Sequence, residues 1–213
     1  MKTVYLLRYS QLTQSNMMES VKAFIKHTGI DPKTIQIAAH KQGGSPLSAY
    51  KQEEMEQVSQ GAIYLYKTGK VSDEEFVARM NHAMGIDLSM DTFKECWNAM
   101  CTVQPETLEL LHHIESLQKE HAFGIHVMGN TNSMQANYIS EQFAAAGLKL
   151  GMSHTFSFEA GMLDPAPPKT TDAGWADVNI IDLRDTADIL AEFNKLSTEA
   201  SLSEAPKRKL SLV

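Results

Sequence analysis

Polar side chains that could do chemistry close three apolar runs of this 213-residue chain. Val4-Tyr5-Leu6-Leu7 runs into Arg8-Tyr9-Ser10, and Ile125-His126-Val127-Met128 into Gly129-Asn130-Thr131-Asn132. Asn179-Ile180-Ile181 runs into Asp182, with Asp185 close behind. Carboxylates at strand ends can hold a hard cation through oxygen or move a proton. Gly129 to Asn132 precede a helix, so Asn130 and Thr131 are candidates to bind an anion through backbone amides. A plain capping turn is the more economical reading of the same residues. Arg8 stays protonated, so it can pair with an anion but cannot attack phosphorus. Ser10 is a poor proton shuttle near neutral pH. His112, His113, His121 and His126 lack the His-x-x-x-His spacing of a helical zinc site and read as surface or strand-facing residues.

The pattern around these residues alternates between strand and helix. Residues 3–7 read as a buried strand and 16–27 as a helix ended by Gly29 and Asp31-Pro32. Residues 33–50 are ambiguous, with a loop at Gly43-Gly44-Ser45-Pro46, and 47–67 read as a further helix. Ser72 and Glu75 form a capping box ahead of Phe76, Met80 and Met84, and Gly85 stops that helix. Ser89 opens the next one, with Phe93 and Trp97 on one side. Pro105 suits the first turn of a third, whose buried stripe is Leu108, Leu111, Ile114 and Leu117. A strand over 123–128, a helix over 133–146, strands over 155–158 and 177–183 and a helix over 185–196 complete the series. Alternation after residue 104 predicts a short parallel α/β sheet with right-handed crossovers. The sheet is expected to hold about four strands, the mean sheet having about five or six. Residues 197–213 show no buried face and read as a mobile tail.

A net charge of −7 argues against nucleic-acid binding by the whole surface. No apolar run reaches the roughly 20 residues of a membrane-spanning helix, and the N-terminus does not read as a signal peptide. Cys96 and Cys101 do not make a disulfide framework, which points to the cytoplasm. The twelve methionines read as core filling. Lys207-Arg208-Lys209 and Ser211-Leu212-Val213 read as part of a solvated tail.

The chain resembles the haloacid dehalogenase (HAD) superfamily of phosphohydrolases, in the branch with a small helical cap. The resemblance is carried by Tyr64 to Phe76, by Phe93 with Trp97-Asn98-Ala99-Met100, by Pro105 through Gly124 to Asn132, and by Phe156 to Pro165. It implies a Rossmann-like core over 1–13 and 102–196 and a helical cap over 14–101. Active members need a nucleophilic Asp, an acid/base Asp, a phosphate-binding Ser or Thr, a Lys and acidic magnesium ligands. On this chain those positions fall at Arg8, Ser10, Gly129, Asp164 and Asp182, the last followed by Leu183. The expectation is therefore a non-catalytic pseudo-phosphatase, a bacterial-type adaptor or complex subunit with an unidentified protein partner, no magnesium and no catalytic residue. The alternative is an atypical hydrolase using Asp182, Asp185 or Thr131, or a phospho-metabolite sensor. Arg8 is expected to pair with Asp164, Asp182 or both.

Overall fold

The computed structural model describes residues 2–45, 49–51, 54–169 and 175–203. It opens on β1 (Lys2–Arg8), in which Val4, Tyr5, Leu6 and Leu7 are all buried. The one-turn helix α1 (Tyr9–Leu12) and the two-residue strand β2 (Gln14–Ser15) follow. Five helices come next: α2 (Met17–Thr28), α3 (Pro32–Lys41), α4 (Met55–Ser59), α5 (Ala62–Lys67) and α6 (Asp73–Met84). After α7 (Met90–Asn98) the chain returns through β3 (Cys101–Thr102). Then come α8 (Pro105–Glu120), β4 (Phe123–Gly129) and α9 (Ser133–Ala145). The last elements are β5 (Met152–Phe156), α10 (Ser157–Ala160), β6 (Val178–Asp182) and α11 (Thr186–Ser203).

Four strands make one sheet in the order β5-β4-β1-β6, every neighbouring pair parallel. This is the α/β architecture that the alternation predicts, with a short parallel sheet flanked by helices. β1 lies in the middle because its run of buried side chains can be covered on both faces. Tyr5 and Leu7 join the large core, while Val4, Leu6 and Met128 form a smaller one with Trp175, Val178 and Ile180. A second sheet pairs Gln14 with Thr102 and Ser15 with Cys101, antiparallel, and the Asn16 amide extends it by donating to the Met100 carbonyl at 2.8 Å.

The helices start and stop largely where their caps predict. Ser72 Oγ accepts the Glu75 amide at 3.2 Å, and α6 ends at Gly85. Within the helical layer Phe76 is fully buried, stacked on Tyr66 at 4.1 Å and edge-on to Trp97 at 5.0 Å and Phe93 at 5.7 Å. A hydrogen-bonded knot ties this layer to α9. Tyr66 Oη donates to Asp73 Oδ1 at 2.7 Å and accepts the Met134 amide at 3.1 Å, and Ser133 Oγ also donates to Asp73. Gly69 beside it has φ 66°, and any Cβ there would run into the Phe158 carbonyl.

Several boundaries differ from the sequence reading. The helix expected over 47–67 is broken into α4 and α5, and residues 47, 48, 52 and 53 lie outside the described residues. The ambiguous 33–50 stretch holds α3, with Asp31 as cap and Ile35, Ala38 and Ala39 as its buried face. The strand expected over 155–158 sits upstream, because Glu159 Oε2 takes the Phe156 amide at 3.1 Å and turns the chain into α10. α11 continues to Ser203, so 197–203 are helical rather than tail. The two basic and apolar tail motifs, with all of 204–213, lie outside the described residues. Cys96 and Cys101 are buried and unbridged, Cys101 standing on β3.

His126 is a buried polar residue of β4, at 3% exposure. Its Nδ1 lies 2.8 Å from Ser153 Oγ and its Nε2 3.1 Å from Thr155 Oγ1. Burial, and then the charge of His154, push its pKa below the ordinary 6.5. The folded state therefore disfavours the proton that the unfolded chain accepts. This contribution to stability is present above about pH 6.5 and fades as pH falls below it. Urea midpoints measured from about pH 8 down to about pH 5 should fall on acidification, and the fall should shrink in His126→Gln.

Candidate functional site

Parallel strands place all their carboxyl ends on one edge, where α/β sheets form a crevice. Arg8 ends β1 and Asp182 ends β6, and here they meet. Arg8 Nη2 lies 2.9 Å from Asp182 Oδ1 and 3.0 Å from Oδ2. The hydrogen bond is directed at Oδ2, which also lies 3.3 Å from Arg184 Nε. Oδ1 is buried and accepts no hydrogen bond from the described residues, and Arg8 Nη1 is a buried donor with no acceptor among them. Gln11 fixes the turn beneath: its Oε1 accepts the Arg8 amide and its Nε2 donates to the Leu183 carbonyl at 3.0 Å. Gln11 was not among the sequence candidates, since nothing in the pattern marks a glutamine in a one-turn helix.

The turn after β4 is also built tightly. A Cβ on Gly129 would sit 3.0 Å from Tyr9 Cβ, so the smallest residue lets the ends of β1 and β4 approach. Asn130 and Asp164 hold each other: Asn130 Nδ2 donates to Asp164 Oδ1 at 2.6 Å, and the Asp164 amide donates to Asn130 Oδ1 at 2.7 Å. Asp164 has φ 50°, a left-handed conformation that Asp tolerates better than most residues. Of the two carboxylates expected for Arg8, Asp182 takes it and Asp164 turns to Asn130.

The front of α9 already has protein partners. The Thr131 amide donates to Ser157 Oγ at 3.1 Å, the Met134 amide to Tyr66 Oη, and the Gln135 amide to Asn132 Oδ1 at 3.1 Å. Thr131 itself is 1% exposed. Asp185 is likewise engaged, its Oδ1 accepting the Asp188 amide at 2.9 Å at the start of α11.

Arg8, Ser10, Gly129, Asn130 and Asp164 line a cavity of about 570 Å³ between the sheet edge and the helices. Its wall is otherwise mainly apolar, with Phe24, Ile35, Ile63, Met80 and Trp97 among the lining residues. Met17, Met84, Met100 and Met128 line it too, so several methionines read as core filling also face this space. Lys67, the last residue of α5, lines the same space, and burial pushes its ammonium below the ordinary lysine value. The sequence reading passed over Lys67, because a lysine at a helix end reads as solvated. Among the described residues no group of three or more His, Cys, Asp or Glu side chains is gathered as a metal site. None of their helices is long and apolar enough to cross a membrane.

No protein-family profile matches the sequence. Solved structures do match. The HAD family enzyme BT-2542 of Bacteroides thetaiotaomicron, crystallised with magnesium and inorganic phosphate, aligns at TM-score 0.55 and 17% identity over 92% of this chain and 90% of that one. A HAD-like family hydrolase of Porphyromonas gingivalis, itself described as predicted, aligns at 0.51 and 16% over 92% and 87%. The chain carries the HAD-like fold. An aspartate-to-alanine variant of BT-2542, also holding magnesium and phosphate, aligns at 0.55 and 17% over 94% and 90%.

These HAD neighbours correct the functional expectation. A non-catalytic pseudo-phosphatase or adaptor does not stand against fold neighbours described as a HAD family enzyme and a predicted HAD-like hydrolase. The expectation of no magnesium falls with it, since BT-2542 was solved with magnesium both with and without phosphate. The reading leaned on side-chain identity at single motif positions. The fold supplies a crevice at the sheet edge whatever side chains stand there, and in this chain a cavity lies beside it.

Proposed function

We propose that this chain hydrolyses phosphate esters of small molecules in the cavity at the sheet edge, by an atypical route in which Arg8 binds the phosphate. The observation that carries this reading is the buried Arg8 Nη1, a donor with no acceptor among the described residues, on a side chain that lines the cavity together with Asn130. Leaving such a donor unsatisfied costs about 1–3 kcal/mol, which a phosphate oxygen would offset. The guanidinium fork matches phosphate geometry. Since Arg8 cannot attack phosphorus, the acceptor is water. The ester P–O bond breaks, the water oxygen takes its place on phosphorus, and one water proton leaves with the alcohol.

Magnesium accompanies phosphate in BT-2542. On this chain Asp182 is the residue that would hold it, through the Oδ1 that takes no hydrogen bond from the described residues. Magnesium commonly uses one or two carboxylates and completes its shell with water and phosphate oxygens. When bound it would offset charge on the phosphoryl group. Arg8 Nη2 stands 2.9 Å from that oxygen, so a phosphate that draws Arg8 away also clears it. Asp185 is less suited, being spent on the α11 cap. In this reading residues 14–101 act as a cap over a core of 1–13 and 102–196, in the cytoplasm, where unbridged cysteines are at home.

Phosphate release from a panel of small phosphate esters with magnesium tests the reading. Activity is expected to vanish on chelation and to fall at least about tenfold in Asp182→Asn. No release above the buffer rate for any ester, or an Asp182→Asn variant as active as the parent, would overturn it. Stabilisation by an ester without phosphate release would assign the cavity to binding and sink hydrolysis.

A further inference from the structure

We infer that the cavity takes a phosphate ester whose apolar body carries a second anionic group, and that Lys67 receives that group. The inference rests on the reading that phosphate esters enter here at Arg8. Lys67 is half-buried on the cavity wall, and among the described residues it has no carboxylate partner and no hydrogen-bond acceptor. Among the described residues the one carboxylate in the lining, Asp164, is held by Asn130. The nearby Cys101 thiol is pushed up to about 11 by burial, so it stays protonated near neutral pH and supplies no counter-charge. An ammonium drawn from water without a counter-charge is costly, and its depressed pKa reports that cost. A ligand anion would remove it.

The placement is rigid. Tyr66, the residue before Lys67, is fixed by Asp73, Ser133 and the Met134 amide, and stacks on Phe76. The lysine is therefore presented by a pinned helix end and not by a free loop. Two cations, Arg8 and Lys67, thus share a largely apolar chamber of about 570 Å³, a size suited to a small molecule. A phosphate at Arg8 leaves the hydrocarbon of the ester against Phe24, Ile63 and Trp97, and the second anion at Lys67.

Titration calorimetry of the full chain with magnesium tests this, using phenylphosphonate and para-carboxyphenylphosphonate as non-hydrolysable probes. The carboxylated probe is expected to bind roughly tenfold tighter to the parent chain, as a charge-assisted contact should. Lys67→Met should erase the difference between the probes, and Lys67→Arg should keep part of it. Lys67→Gln serves the same comparison if methionine disturbs the fold, which melting curves will show. Equal affinity in the parent, or a difference that survives loss of the ammonium, overturns the inference. If only the carboxylated probe binds, and loses that binding in Lys67→Met, the anion site at Lys67 stands and Arg8→Ala decides the rest: unchanged affinity there removes the phosphate reading and with it the ester as ligand. If neither probe binds, both fall.

Discussion

Replacing Arg8 with alanine is expected to lower kcat/KM for a phosphate ester by on the order of a hundredfold, the usual cost of removing a preorganised donor from a reacting phosphate or oxyanion. Among the described residues the side chain supplies the only guanidinium lining the cavity, and one of its donors is buried with no acceptor among them. Arg8→Lys should recover only part of the loss, because a single ammonium cannot reproduce a planar fork. Stability should change little. Arg8 and Asp182 are each more than a quarter exposed, so water screens the carboxylate left behind. A second consequence separates this account from simple damage. Removing the guanidinium frees Asp182 Oδ1, so magnesium should bind Arg8→Ala more tightly than the parent even as turnover drops. Equal turnover in parent and Arg8→Ala would remove the phosphate-binding role.

Phe76→Ala is expected to destabilise the fold by about 3–5 kcal/mol, the range for emptying a buried phenyl site. Phe76 has no exposed surface and touches three further rings: Tyr66 in parallel, Trp97 and Phe93 edge-on. Its loss opens a cavity that α6 cannot easily close, because Ser72 caps one end and the Tyr66–Asp73–Ser133 knot holds the same turn to α9. Urea unfolding should show the drop in midpoint. Phe76→Leu should cost much less, and a cost under about 1 kcal/mol for alanine would mean that the ring cluster is looser than its geometry. Since Tyr66 loses its stacking partner, Lys67 should also lose its fixed placement, so ligand selectivity should weaken in the folded fraction.

The parallel core was legible because it is written in continuous apolar runs. Val4 to Leu7, Ile125 to Met128 and Ile180-Ile181 could hardly be anything but covered strands, and Leu111, Ile114 and Leu117 mark the buried side of α8 without ambiguity. Single turns were legible where a cap carried them, as Ser72 and Asn132 do. The ribbon of β2 and β3 was not, since two residues a side leave no periodicity to read. α3 escaped for a related reason: its buried face is only Ile35, Ala38 and Ala39, and two alanines barely stand out from a polar stretch. At the site, the pairing of Arg8 with Asp182 was legible, but the partner of Asp164, Asn130, was not. The Asn130–Asp164 clasp depends on a left-handed backbone that no local pattern demands. Lys67 was missed because a sequence shows a lysine's charge and not the apolar walls that enclose it. The functional expectation failed for a different reason: residue types at single positions do not show whether a crevice is idle.

The small β2–β3 ribbon fixes something that the larger sheet does not. It sets the point of departure of the helical excursion beside its point of return, with Asn16 bonded to Met100. A detour that begins and ends at one place can lengthen, shorten or be exchanged without rewiring the strands beneath it, and the entropy of closing a longer loop rises only slowly with its length. The excursion is thus the part of this chain most open to evolutionary trade, and the sheet edge the part that any replacement would inherit.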